Sequence, residues 1–168
     1  MNQGLLLIHT GHGKGKTSAA FGQALRAAGQ GLTVCLIQFV KAQDSGELRA
    51  IGAIPGIELH QVGSGFSWRD RQQFHLSAQR GWQLAQEKIA AGYGLVILDE
   101  LTYLLNYQVL TVEEVLDTLQ NRPTGQHLLI TGRDAAAELL AIADLVTEMR
   151  EIKHPFQQGI RAQQGIEF

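Results

Sequence analysis

Six short apolar segments alternate with helix-forming segments along this chain of 168 residues. The apolar segments are residues 5–10, 32–40, 57–62, 94–100, 127–132 and 145–152. Several are continuous hydrophobic runs, which are typical of strands covered on both faces. Helical patterns lie between them at 17–28, 70–91, 112–120 and 134–143. This alternation predicts an α/β fold with a mainly parallel six-stranded sheet and right-handed crossovers.

The ends of several helices can be predicted from single residues. Gly29 and Gly31 should end the first helix. Thr111 followed by Glu114 has the spacing of a capping box at the start of the third helix, and Asp134 can cap the fourth. The least patterned parts of the chain are 41–52 and 63–69, and irregular segments on a parallel sheet are where ligands tend to bind.

Composition limits the class of protein. With 45% hydrophobic residues, the chain fits one domain, 1–168, that can bury a core of its own. The net charge of −2 argues against a surface built to bind nucleic acid. No apolar run is long enough to span a membrane, and no export signal is recognisable. The single cysteine, Cys35, lies in an apolar run and suits a reducing cytoplasm.

The segment TGHGKGKT, residues 10–17, lies between the first apolar segment and the first helix. Gly15, Lys16 and Thr17 match the end of a phosphate-binding loop, in which backbone N–H groups converge on phosphate oxygens. The usual first glycine of that pattern is replaced by Thr10. A dinucleotide-binding loop is disfavoured, because its third glycine would fall on Lys16 and the second strand ends without an acidic residue. A simple glycine turn would not need a lysine followed by a hydroxyl.

Four residues suggest a metal–phosphate site, two at the end of the loop and two at the end of the fourth apolar segment. Lys16 is favoured over Lys14 as the phosphate cation. An ammonium about 3 Å from a phosphate gains roughly 5 kcal/mol at an effective dielectric of about 20, but only about 1 kcal/mol if water surrounds it. Thr17 is the expected hydroxyl ligand of Mg²⁺. Asp99 and Glu100 follow an apolar strand and could supply the second site on the metal. They could instead cap the following turn, and Glu100 could orient an attacking water.

Two further features have alternative explanations. Arg133 follows the fifth apolar run and could reach a phosphate, or it could pair with Asp134 or Glu138 on the surface. Phe66 and Trp68 lie in a glycine-flanked loop. They could cover the edge of the core, or they could contact a flat hydrophobic ligand.

In combination and order, these motifs resemble the P-loop class of ATP:corrinoid adenosyltransferases, from about Leu5 to Phe168. The segments that carry the resemblance are GHGKGKTSAAFGQALRAAG, QFVKA, GFSWRD, LDELTYLLNY, TGRDAAAELLAIADLVTEM and KHPFQQGIRAQQGIEF. The resemblance implies a three-layer α/β/α fold similar to P-loop NTPases and RecA. It also implies transfer of the 5′-deoxyadenosyl group from ATP to the Co(I) of a reduced corrinoid, with release of triphosphate. The acceptor would be cob(I)alamin, cobinamide or cobyrinic acid a,c-diamide.

The resemblance also assigns roles to residues. Lys16 and Glu100 are the implied catalytic residues, Glu100 with Asp99 and Thr17 would bind Mg²⁺ or Mn²⁺, and Phe66 with Trp68 would pack against the corrinoid. The implied ATP-binding residues are Gly11, His12, Gly13, Lys14, Gly15, Lys16 and Thr17. The family is understood to bind ATP with its γ-phosphate deep in the loop. An electron donor such as a reduced flavoprotein and a homodimer are also expected.

The chain departs from the family pattern in two places. Relatives often carry a further N-terminal segment that helps cover the corrinoid site, and His12 occupies a position that is frequently Asn. Two other functions therefore compete with adenosyl transfer. One is a P-loop ATPase or kinase that acts on the terminal phosphate, and the other is a corrinoid or nucleotide carrier without turnover.

Overall fold

The six predicted strands form one sheet in which every neighbouring pair is parallel, which confirms the predicted architecture. The computed structural model describes residues 3–41, 45–63, 65 and 71–167. The strands run in the order β3-β2-β4-β5-β1-β6. Their bounds are β1 Leu6–Thr10, β2 Val34–Gln38, β3 Ile57–Gln61, β4 Leu95–Asp99, β5 His127–Thr131 and β6 Leu145–Glu148.

Helices connect consecutive strands within the described residues. Their bounds are α1 Lys16–Gly29, α2 Gly46–Gly52, α3 Arg71–Ala90, α4 Leu101–Asn106, α5 Val112–Gln120 and α6 Ala137–Ile142, and a 3-10 turn follows at Pro155–Gln158. Nowhere in the described ranges does a helix combine the length and apolar character needed to cross a membrane.

The helices cover both faces of the sheet, so the fold has the three layers that the resemblance implies. Alternate residues of β4 face opposite sides: Ile97 packs with α1 and α2, whereas Leu98 packs with α3 to α6. Both side chains are fully buried. Burial of one such side chain contributes about 1.5–3 kcal/mol. The continuous apolar runs of the sequence therefore arise because both faces of each central strand need hydrophobic side chains.

The parallel topology gathers the functional segments at one edge of the sheet. The carboxyl ends of β1, β2, β4 and β5 all point to this edge, and the loop before α1 begins there. In open α/β sheets, ligands bind in crevices outside these carboxyl ends. The fold thus brings together residues that are far apart in the sequence, such as Thr10 and Ala135, which are 125 positions apart.

The predicted helix ends are confirmed in two cases and wrong in one. Helix α1 ends at Gly29, and Thr111 with Glu114 forms the expected capping box of α5. Asp134 does not cap α6, which begins three residues later. Asp134 adopts a left-handed φ of 50° in the turn after β5, a conformation that aspartate tolerates, and so lies outside the helix.

Three elements differ from the predicted pattern. Helices α2 and α4 were not expected, and β6 ends at Glu148 although its apolar run continues to residue 152. The two helices span seven and six residues, which is too short for a helical hydrophobic repeat to be recognised.

Candidate active site

The loop between β1 and α1 is shaped by close contact with the chain that follows β6. Gly11 has a left-handed φ of 93°, and a Cβ atom there would lie 2.4 Å from the Met149 carbonyl oxygen. A Cβ atom at Gly13 would lie 2.8 Å from the same oxygen, which accepts the Gly13 N–H at 2.7 Å. Gly15 has a φ of 112° immediately before α1. Side chains at these positions would therefore clash or strain the backbone.

The side chain of Lys16 connects two residues of this loop by hydrogen bonds. Its Nζ atom donates hydrogen bonds to the carbonyl oxygens of Gly11, at 2.6 Å, and Gly13, at 2.7 Å. Burial lowers the pKa of Lys16, and the nearby charge of Arg133 lowers it further. A partly desolvated ammonium group interacts more strongly with an anion than one in open water. Lys16 thus ties the loop together beside the cleft, and its role in binding a polyphosphate stays a prediction.

Asp99 lies at the end of β4 and accepts hydrogen bonds from three different elements. Its Oδ1 atom accepts from Thr17 Oγ1 at 3.0 Å and from Thr131 Oγ1 at 2.6 Å. Its Oδ2 atom accepts from Gln38 Nε2 at 2.9 Å. The side chain is fully buried, so these donors offset the cost of removing the carboxylate from water. Asp99 thereby links the start of α1 to β2 and β5.

Glu100 is presented differently from its neighbour. It has a left-handed φ of 68° at the start of α4, and its N–H donates to Thr131 Oγ1 at 2.9 Å. Its Oε2 atom is buried without a hydrogen-bond partner among the described residues. Burial, and then the charge of Asp99, raises the pKa of Glu100 to about 7. A buried carboxylate oxygen without a donor is suited to a cation.

The loop before α1 and the turns after β4 and β5 border one cleft of about 720 Å³. Lys16, Thr17 and Glu100 line it, and Asp99 supports it from beneath. The cleft also contains residues of α1, the turn after β5 and the C-terminal segment. Members of these parts of the chain are Ser18, Gly132, Arg133, Glu151, His154 and Glu167. Lys41 after β2, Tyr103 of α4 and Thr131 of β5 line the cleft as well.

The turn after β5 fixes the backbone of Arg133 at the cleft. The Arg133 carbonyl oxygen accepts from Thr102 Oγ1 at 2.7 Å and from Asn106 Nδ2 at 3.2 Å. A Cβ atom at Gly132, where φ is 145°, would lie 1.9 Å from Thr102 Oγ1. Asp134 pairs with His12 at 3.1 Å. Arg133 therefore extends from a fixed turn into the cleft, where it can reach an anion.

Lys14 has a different environment from Lys16. Its Nζ atom forms an ion pair with Glu167 Oε2 at 2.7 Å and donates to the Ile166 carbonyl oxygen. Its side chain is 43% exposed. The C-terminal segment thus lies against the outer side of the loop, and Lys14 is already partly neutralised.

The structure brings most of the predicted site residues together. The loop residues 12–17, Glu100 and Arg133 line the cleft, and Asp99 is hydrogen-bonded to Thr17. Gly11 does not line it, but its carbonyl oxygen accepts a hydrogen bond from Lys16. Phe66 and Trp68 lie outside the described residues. No group of three or more His, Cys, Asp or Glu side chains suited to a metal occurs in residues 3–41, 45–63, 65 and 71–167.

Sequence reasoning missed several residues that shape the site. Gln38 and Thr131 hold Asp99, and Thr102 holds the turn that carries Arg133. Gln38 and Thr131 are polar residues at the last position of apolar strands, and this could have marked them. No sequence signal placed Glu151 or Glu167 at the cleft, because their contacts are set by the path of the chain after β6.

Comparisons with known proteins agree with this geometry. The family model for ATP:corrinoid adenosyltransferase BtuR/CobO/CobP matches residues 2–168. A corrinoid adenosyltransferase of Pseudomonas aeruginosa is 43% identical, with 99% of this chain and 84% of the relative covered. One from Escherichia coli K12 is 39% identical, and the corrinoid adenosyltransferase CobA of Salmonella typhimurium is 38% identical. Each alignment covers 99% of this chain and 86% of the relative. The chain belongs to the ATP:corrinoid adenosyltransferase family.

Proposed function

We propose that this enzyme transfers the 5′-deoxyadenosyl group of ATP to the Co(I) of a reduced corrinoid, in the synthesis or salvage of adenosylcobalamin. The electron pair of Co(I) forms the bond to C5′, the C5′–O bond breaks, and its electron pair leaves with triphosphate. The observation that carries the proposal is the cleft that combines Lys16, Thr17 and Glu100 in a chain of this family.

The reaction needs alignment and charge stabilisation rather than a protein base, because Co(I) is itself a strong nucleophile. We assign the polyphosphate to the loop residues 11–17, with Lys16 as its main cation and Arg133 as a second. Gly13 already donates its N–H to the Met149 carbonyl oxygen, so we assign the phosphate oxygens to the N–H groups of the residues that follow it. This places the leaving group against the start of α1.

We infer that Thr17 and Glu100 would hold Mg²⁺ or Mn²⁺ together with phosphate oxygens. The orphaned Oε2 atom of Glu100 and the hydroxyl of Thr17 are the oxygen ligands that these cations prefer. Such a cation would neutralise charge that develops on the departing triphosphate. Both oxygens of Asp99 already accept hydrogen bonds, so its proposed role is to orient Thr17.

We assign the corrinoid to Phe66 and Trp68, which lie outside the described residues. Packing these side chains against the lower face of the corrinoid would exclude the axial ligand and make reduction to Co(I) easier. An electron donor such as a reduced flavoprotein, a cytoplasmic location and a homodimer complete the proposal.

One assay tests the proposed reaction against its alternatives. The protein is incubated with MgATP and chemically reduced cobalamin or cobinamide, the cobalt–carbon bond is followed by absorbance, and the phosphate product is identified. Adenosylated corrinoid together with triphosphate is the expected result. Orthophosphate or a phosphorylated acceptor would indicate an ATPase or kinase, and binding of both ligands without turnover would indicate a carrier.

Trp68→Ala tests the division of labour between the two parts of the site. We expect ATP affinity to stay within about twofold of wild type, because the loop and Lys16 are unchanged. The rate from Co(II) with a reductant should fall about tenfold or more, whereas the rate from chemically prepared Co(I) should fall less. ATP titration and both rates measure this. Equal losses in both rates, or a large loss of ATP affinity, would contradict the assignment.

A further inference from the structure

Gln38 is a buried polar residue that the proposed reaction does not use directly. It is the last residue of β2, is 1% exposed, and lies beside Asp99 in the parallel register of β2 and β4. An amide in this position needs hydrogen-bond partners to offset its burial. Its partners show what it does.

The Gln38 side chain forms one link of a chain of hydrogen bonds that leads to the cleft. Its Nε2 atom donates to Asp99 Oδ2 at 2.9 Å, and its Oε1 atom accepts from Gln61 Nε2 at 3.5 Å. The other oxygen of Asp99, Oδ1, accepts from Thr17 Oγ1 at 3.0 Å and from Thr131 Oγ1 at 2.6 Å. Gln38 and Thr17 therefore hold opposite oxygens of one carboxylate.

We infer that Gln38 is a positioning residue for the nucleotide-bound cation. By holding Oδ2, it keeps Oδ1 of Asp99 directed at Thr17, so the Thr17 hydroxyl hydrogen points to Asp99 and the oxygen lone pairs face the cleft. This inference rests on the proposed metal site.

The choice of a neutral donor has a physical reason. A lysine or arginine at position 38 would cancel the charge of Asp99, and a glutamate would place two carboxylates side by side in the core. The amide donates a hydrogen bond and leaves the negative charge in place. That charge strengthens the hydrogen bond from Thr17 and makes the Thr17 oxygen a better ligand.

Gln38→Leu tests the inference through ATP binding rather than turnover. ATP affinity is measured by calorimetry with Mg²⁺ and again with EDTA, and the ratio of the two affinities gives the gain due to the cation. We expect a clear gain in wild type and a gain that is about 10- to 100-fold smaller in Gln38→Leu. This is the usual effect of removing a group that orients a metal ligand. Affinity in EDTA should change little.

Gln126→Leu is the matched control. Gln126 is also buried, at 3% exposure, and its Nε2 atom donates to the Ile89 and Tyr93 carbonyl oxygens, far from the cleft. We expect this variant to lose stability in thermal unfolding and to keep the wild-type Mg²⁺ gain. Equal effects of the two substitutions on the gain would overturn the inference, as would an unchanged gain in a folded Gln38→Leu. The absence of any Mg²⁺ gain in wild type would instead overturn the proposed metal site.

Discussion

Lys16→Ala is expected to lower the rate of adenosyl transfer by between about 10² and 10⁴-fold. The lysine ammonium lies inside the loop, where its pKa is lowered by burial and where its attraction to a phosphate is screened less than at the surface. Removing one such group from the leaving triphosphate costs several kcal/mol of transition-state stabilisation. The single-turnover rate with MgATP and chemically reduced corrinoid measures this loss, and an ATP titration shows how much of it arises from binding.

Lys14→Ala is the matched control for this prediction. Lys14 is two residues away, but its charge is paired with Glu167 and its side chain is 43% exposed. We expect a loss of less than about tenfold. Because Lys16 also ties the Gly11 and Gly13 carbonyl oxygens together, thermal unfolding of both variants should accompany the rates. Comparable rate losses in two folded variants would show that the loop does not distinguish the lysines.

Glu100→Gln is expected to reduce transfer by about 10²-fold or more, because the variant keeps the shape of the side chain but loses the charge that we assign to the cation. The Mg²⁺ concentration at half-maximal rate should rise. Glu151→Gln is the control, since Glu151 is an exposed carboxylate at the border of the same cleft. A Glu100→Gln variant with a normal Mg²⁺ dependence would exclude Glu100 as a metal ligand.

Although Glu100→Gln should lower the transfer rate, it should raise the free energy of unfolding at high pH relative to wild type. Burial raises the pKa of Glu100 from 4.5 to about 7 in the folded protein. The folded state therefore binds the proton more tightly, and the resulting stability is fully present below about pH 4.5 and is lost as pH rises through about 7. Glu100→Gln lacks this loss. Relative to wild type, it should gain up to about 3 kcal/mol between about pH 4.5 and pH 8 in metal-free denaturant unfolding. A pH-independent difference would show that the carboxyl group is not buried in solution.

The fold could be predicted largely because central strands of a parallel sheet are apolar on both faces. Ile97 and Leu98 pack into different cores although they are adjacent, and that requirement is visible as a continuous hydrophobic run. The short helix α4 could not be predicted in this way, since six residues do not complete two helical turns. The end of β6 was placed too late, because hydrophobicity does not show where strand pairing stops.

The site residues that could be predicted from the sequence are those that belong to a recognisable local motif. Lys16, Thr17 and Glu100 follow from the glycine loop and from a carboxylate after an apolar strand. Gln38 and Thr131 did not follow, because their roles depend on which strands neighbour β4. Sequence order gives no direct indication that β2 and β5 are those neighbours.

Contacts with β6 and with Met149 hold the start of the loop between β1 and α1, and this affects the free energy of nucleotide binding. Thr10 takes the place of the usual first glycine and pairs with Glu148 in the sheet, while the turn that follows is hydrogen-bonded to Met149. Ordering a backbone costs about 1–2 kcal/mol for each residue that must be fixed. Since the protein itself holds this turn in place, a polyphosphate at the proposed site would meet a preorganised loop and would retain more of its interaction energy as affinity.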